Sequence, residues 1–132
     1  MTVDSTLAVA RKYVDAVAAK DFGAVADLLA DDVVWHQPGA NRFSGVHRGS
    51  AAVDQLLGGM MTISEGTFEL SVTGVPMVNG DQVAIPVHFA GRRTGAEFEQ
   101  DGVDVLRIDR DRIVEVRLFS SDQDAEDAFW GV

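Results

Sequence analysis

Apolar positions along this chain follow two periods. In the first half they recur every three or four residues; in the second they alternate. Leu7, Ala10, Val14 and Val17 form a stripe that predicts a helix over 5–20, capped by Asp4 or Ser5. Asp21 caps a short second helix whose buried side carries Phe22, Val25, Leu28 and Leu29. Asp31-Asp32 breaks it, and Val33-Val34-Trp35-His36-Gln37 predicts a short strand closed by the Pro38-Gly39 turn. Residues 38–49, with Pro38, Gly39, Gly45 and Gly49, read as a loop. Val53, Leu56, Leu57 and Met60 then predict a third helix from Ser50 to about Ile63.

Alternation begins with Phe68, Leu70 and Val72 in a strand over 67–78, followed by Asn79-Gly80, a strong hairpin signal. Val83, Ile85, Val87 and Phe89 place the next strand over 82–93. Gly95 turns the chain into a third long strand over 96–109. Asp109-Arg110-Asp111 turns it again into a fourth over 112–120. Ser121 or Asp122 caps a last short helix ending near Trp130. Helices first and hairpin-linked strands after predict an α+β fold, with three N-terminal helices on one face of a mostly antiparallel sheet and a short C-terminal helix. The length, 132 residues, fits one domain spanning 1–132. A curved sheet of this kind leaves a space beneath the helices, where ligand pockets form.

One residue breaks the apolar rule. In Gly102-Val103-Asp104-Val105-Leu106-Arg107-Ile108, a period of two points Asp104 the same way as Leu106 and Ile108. A carboxylate among aliphatic side chains is unfavourable unless it is paired or used. Asp104 is therefore the leading candidate for chemistry, with Leu106 beside it. Trp35 and Gln37 share one face of their strand and His36 takes the other, unless a bend before Pro38 brings all three inward. His36 titrates near neutral pH and suits acid–base work. His88 shares a strand face with Pro86 and Ala90, and either face of that strand reads as the inner one. Tyr13 lies on the flank of the first helical stripe.

Composition narrows the classes. Twenty-one acidic residues against eleven basic ones give a net charge of −10, which disfavours nucleic acid and anionic membrane as partners. The absence of cysteine removes disulfides, thiol nucleophiles and cysteine-based metal sites. The three histidines, His36, His47 and His88, lack helical i, i+4 spacing, so no metal site is expected. Asp122, Asp124, Glu126 and Asp127 lack the glycine of a calcium loop and read as acids stabilising a helix N-terminus. No P-loop, dinucleotide fingerprint or nucleophile elbow is present, and no cofactor is expected. No apolar run is long enough for a membrane helix, the first residues do not read as a signal peptide, and a cytoplasmic location is expected.

Several strings resemble a known family: Arg11-Lys12-Tyr13-Val14, Ala30-Asp31-Asp32-Val33, Gly45-Val46-His47-Arg48-Gly49, Val103-Asp104-Val105-Leu106-Arg107 and Asp111-Arg112-Ile113-Val114-Glu115-Val116. Together with the element order, they are similar to the cone-shaped fold of nuclear transport factor 2 and its enzyme relatives, the ketosteroid isomerases and SnoaL-like polyketide cyclases. The resemblance implies that Tyr13 and Asp104 match the oxyanion-hole tyrosine and aspartic acid of the isomerases, where an apolar site keeps the acid neutral. The isomerase base falls at Gln37, which cannot accept a proton. In the cyclases the strand aspartate is the acid–base group, and Asp104 fits that place. The epoxide-hydrolase relatives carry an arginine where this chain has Gly102.

The expectation is a cofactor-independent enzyme acting on an apolar carbonyl compound such as a polyketide. Asp104, Tyr13 and His36 would be catalytic, and Trp35, Gln37, His88 and Leu106 would bind substrate. A binding module for an apolar ligand and a dimeric assembly module are the alternatives, since exposed strand faces favour a homodimer in either case.

Overall fold

Two long hairpins carry the molecule. The computed structural model describes residues 3–132. Its elements are α1 (Val3–Ala18), α2 (Phe22–Leu28), β1 (Leu29–Gln37), β2 (Gly45–Arg48), α3 (Ser50–Ile63), β3 (Glu69–Val72), β4 (Met77–Asn79), β5 (Gln82–Arg93), β6 (Ala96–Asp109), β7 (Arg112–Ser120) and α4 (Gln123–Trp130). Among the described residues the strands make one seven-stranded sheet in the order β2-β1-β7-β6-β5-β3, with β4 also on β5. Of these pairs only β1 with β7 is parallel. The sheet is curved and unclosed, which makes an α+β cone.

The inner face of the sheet carries Val33 and Trp35 from β1, Val116 from β7, Leu106 and Ile108 from β6, and Val83, Ile85 and Val87 from β5. They pack with Val9, Ala10, Tyr13 and Ala16 of α1 and Val53, Leu56 and Met60 of α3. Each large side chain buried there contributes about 1.5–3 kcal/mol. An aromatic cluster closes one end, with Trp130 of α4 against Phe43 at 5.2 Å, Phe129 at 4.9 Å and Phe68 at 5.7 Å between ring centroids.

The structure corrects several boundaries. α1 starts at Val3, so Asp4 and Ser5 lie in its first turn and do not cap it; Met1 and Thr2 lie outside the described residues. Its buried face is rotated from the aliphatic stripe: Thr6, Val9, Ala10, Tyr13 and Ala16 face inward, and Leu7, Val14 and Val17 flank them. Small alanines let the helix approach the sheet, and the tyrosine finds a hydrogen-bond partner there. Asp21 caps α2 as expected, accepting from the Ala24 N–H at 3.0 Å, but Phe22 is exposed and Leu29 begins β1 instead of ending the helix. Residues 45–48, read as loop, form β2, because β1 offers them a ladder.

The strand expected over 67–78 is split into β3 and β4, and Pro86 supplies a reason. Its carbonyl accepts from the Thr73 N–H at 3.0 Å, so the side of β5 facing residues 73–76 lacks a donor at Pro86. Asp122 caps α4, accepting from the Ala125 N–H at 3.1 Å. The loop after β1 is pinned to α4 through Asp127, whose Oδ1 accepts from Ala40 N, Asn41 Nδ2 and Gln123 Nε2. A side chain at Gly39 would collide with Asp127 and Gln123, and its φ of +88° is one that glycine adopts freely.

Candidate functional site

A pocket opens between the concave face of the sheet and the helices. Tyr13 and Val17 of α1, Val25 of α2, Leu57 and Met60 of α3, Trp35 and Gln37 of β1, Phe89 of β5, Asp104 of β6 and Leu118 of β7 line it. Phe68, Leu70 and Pro38 complete the wall, and Ser120 and Glu126 line it from the α4 side. Phe22, 39 % exposed, faces solvent and marks its mouth. The pocket holds about 90 Å³, less than the ~150 Å³ that accommodates a benzene ring in an apolar cavity. A ring compound bound here must therefore extend into the mouth.

Asp104 is only 3 % exposed, and the Tyr13 hydroxyl donates to its Oδ2 at 3.1 Å. Burial disfavours the carboxylate and pushes the Asp104 pKa up to about 7; the Tyr13 hydrogen bond pulls it down, and the charge of Glu126 pushes it further up. Tyr13 is raised well above its ordinary value, first by burial and then by the adjacent Asp104, so it stays a neutral donor. On β1, the Trp35 Nε1–H donates to Gln37 Oε1 at 3.0 Å. That bond commits the Gln37 carbonyl and leaves its amide nitrogen as a donor.

Tyr13, Trp35, Gln37 and Asp104 thus converge on one cavity. Leu106 does not join them: it is fully buried one pleat further along β6, among core residues. His36 and His88 are corrections as well. Alternation runs unbroken from Val34 to Gln37, so His36 points to the outer face, where its Nε2 lies 2.9 Å from Glu115 Oε2 beside Arg107 and Arg117. His88 sits on the outer face of β5, with Nδ1 3.0 Å from Asp101 Oδ1. Neither lines the pocket. Among the described residues, no cluster of three or more histidine or acidic side chains is placed to hold a metal ion.

Glu126 was missed from sequence. It looked like one of four acids solvating a helix start, yet it is 5 % exposed and lines the pocket. Ser120 Oγ and Gln123 Nε2 donate to its Oε1 at 3.0 and 2.9 Å. Burial raises its pKa against those two donors. The available signal was helical spacing: Glu126 stands three and four residues before Phe129 and Trp130, the buried face of α4. At Gly102, any Cβ would strike the Phe119 carbonyl and come within 2.8 Å of the Phe89 ring. An arginine there is sterically barred.

The α+β cone places the molecule in the NTF2-like class. Within it, this chain belongs to the SnoaL-like domain family, whose model matches residues 10–116. An uncharacterised protein of Mycobacterium tuberculosis H37Rv is 27 % identical over 130 residues, covering 98 % of this chain and 99 % of that one. A protein of unknown function with a cystatin-like fold from Xanthomonas campestris is 48 % identical, with a TM-score of 0.91 over 96 % of this chain and 98 % of that one. TerC, co-crystallised with polyporic acid, shares the fold with a TM-score of 0.81 at 16 % identity, over 95 % of this chain and 97 % of that one. No described helix is long and apolar enough to cross a membrane.

Proposed function

We propose that this protein is a cofactor-independent acid–base enzyme of the cyclase or isomerase type, acting on an apolar carbonyl compound such as a polyketide. The observation that carries this reading is Asp104: a carboxyl buried in an apolar pocket, held by Tyr13, with a pKa of about 7. A group that titrates near the working pH both gives and takes protons efficiently. Tyr13 stays protonated and orients Asp104, while the Gln37 amide supplies a second donor for a ligand oxygen. Donors of this kind, aimed at a developing enolate, are each worth about 3 kcal/mol when removed. Family membership and the TerC–polyporic acid complex support a small organic ligand.

Deuterium uptake at the carbon next to a carbonyl tests the reading, with 2-tetralone in D2O as the apolar probe and NMR as the readout. Wild type should exchange faster than buffer, and Asp104→Asn should lose ~100-fold or more of that acceleration. Tight binding of the probe with no acceleration would instead make the protein a binding module. We propose further that the chain forms a homodimer through the outer face of the sheet, where Phe119 and Met77 are exposed and Val34, Val103 and Val105 are half-buried.

A further inference from the structure

A site that removes a proton from carbon needs a base, and Gln37 cannot be one. Among the described residues, the titratable groups lining the pocket are Tyr13, Asp104 and Glu126. We propose that Glu126 is the proton-accepting catalytic residue of this site and Asp104 its proton-donating partner. The proposal rests on the acid–base reading above and divides the two proton transfers between two carboxyls.

Geometry divides the roles. Both donors to Glu126, from Ser120 and Gln123, bind the same oxygen, Oε1, and leave the second oxygen unclaimed by either. Two neutral donors on one carboxyl favour its anion. The buried Trp130 indole N–H has no other hydrogen-bond partner and, beside Glu126, also favours its carboxylate. Asp104 has one donor, Tyr13, and sits slightly deeper. Two buried carboxyls in one apolar pocket do not both ionise readily, and with fewer donors Asp104 is the one that keeps its proton. The other titratable neighbours of the pair are Tyr13 on α1 and Asp127 on α4.

The step balances. The Glu126 carboxylate takes the proton from the carbon beside the ligand carbonyl, and the C–H electron pair becomes the C=C bond. Asp104 gives its proton to the carbonyl oxygen, yielding the enol. Glu126 is now the neutral acid and Asp104 the carboxylate, so the charge of the pair is unchanged. Return of both protons, with Glu126 delivering at the same or a second carbon, gives exchange or isomerisation. Attack of the enol carbon on a second carbonyl gives ring closure; the new alkoxide takes the Glu126 proton, and Asp104 recovers its own. The ligand is therefore a neutral carbonyl compound with an acidic C–H, since an anion would be repelled by the pair.

The 2-tetralone exchange assay separates this proposal from the reading beneath it. Glu126→Gln should slow exchange ~100-fold or more and abolish the rise of rate with pH on the acidic side. Asp104→Asn should remove the fall on the basic side. Glu126→Asp, which keeps the carboxylate, should recover part of the rate, and Ser120→Ala should move the acidic limb to higher pH by removing a donor to the anion. If Glu126→Gln fails to fold, the last two variants carry the test. Exchange at the wild-type rate in Glu126→Gln while Asp104→Asn is inactive would overturn the Glu126 assignment alone. An unmoved acidic limb in Ser120→Ala would do the same. Wild type no faster than buffer would overturn both this assignment and the acid–base reading.

Discussion

Burying the Asp104 carboxyl works against folding at neutral pH. Unfolded, an aspartate loses its proton near 3.8; folded, this one holds it to about 7. Between those values the native state binds more protons than the unfolded one, so stability falls as pH rises through that window. The penalty grows by about 1.4 kcal/mol per pH unit and is complete above pH 7. Asp104→Asn keeps the shape and removes the titration. Thermal melts followed by circular dichroism should therefore show the variant losing less Tm than wild type between pH 4 and 8. Parallel curves for the two proteins would mean that Asp104 ionises freely in the native state. Period-two alternation made this residue legible in sequence, because a strand that buries Leu106 and Ile108 also turns Asp104 inward. The same rule kept His36 outward. Tyr13 was less legible, since the rotation of α1 is set by what lies beneath it.

At the scale of elements, the long strands and helices follow their hydrophobic period, and the differences arise where pairing decides. β2 is mostly exposed and has no alternation of its own; it exists because β1 lies alongside. β3 and β4 part opposite Pro86, a break that only the register of β5 reveals. Glu126 became visible only once α4 was docked: Gln100 on β6 accepts from the Asp122 N–H at 2.8 Å and donates to the Asp122 carbonyl at 3.0 Å, fixing the helix start. Gly102 shows how tightly β6 and β7 are held at that end. Gly102→Ala should destabilise the fold by about 1–3 kcal/mol through overpacking, read as a Tm lower by several degrees. An unchanged Tm would show that the β6–β7 ladder yields at this point.

At the scale of the whole molecule, the outer face of the sheet remains uncovered in the single chain. If two copies meet there, sedimentation velocity should give a dimer for wild type and a monomer for Val105→Glu, whose charge would sit on that face beside Val103, between Ala84 of β5 and Arg117 of β7. A wild-type monomer at micromolar concentration would exclude this arrangement. Local pattern alone settled the four helices, the long strands and their order, the α+β class and the inward aim of Asp104, because periodicity and turn chemistry act over a few residues. The cavity, the meeting of Tyr13 with Asp104, the outward histidines and the buried Glu126 were decided by tertiary packing. Those features depend on how distant segments meet across a curved sheet, and no short-range spacing encodes the distance between α1, β6 and α4.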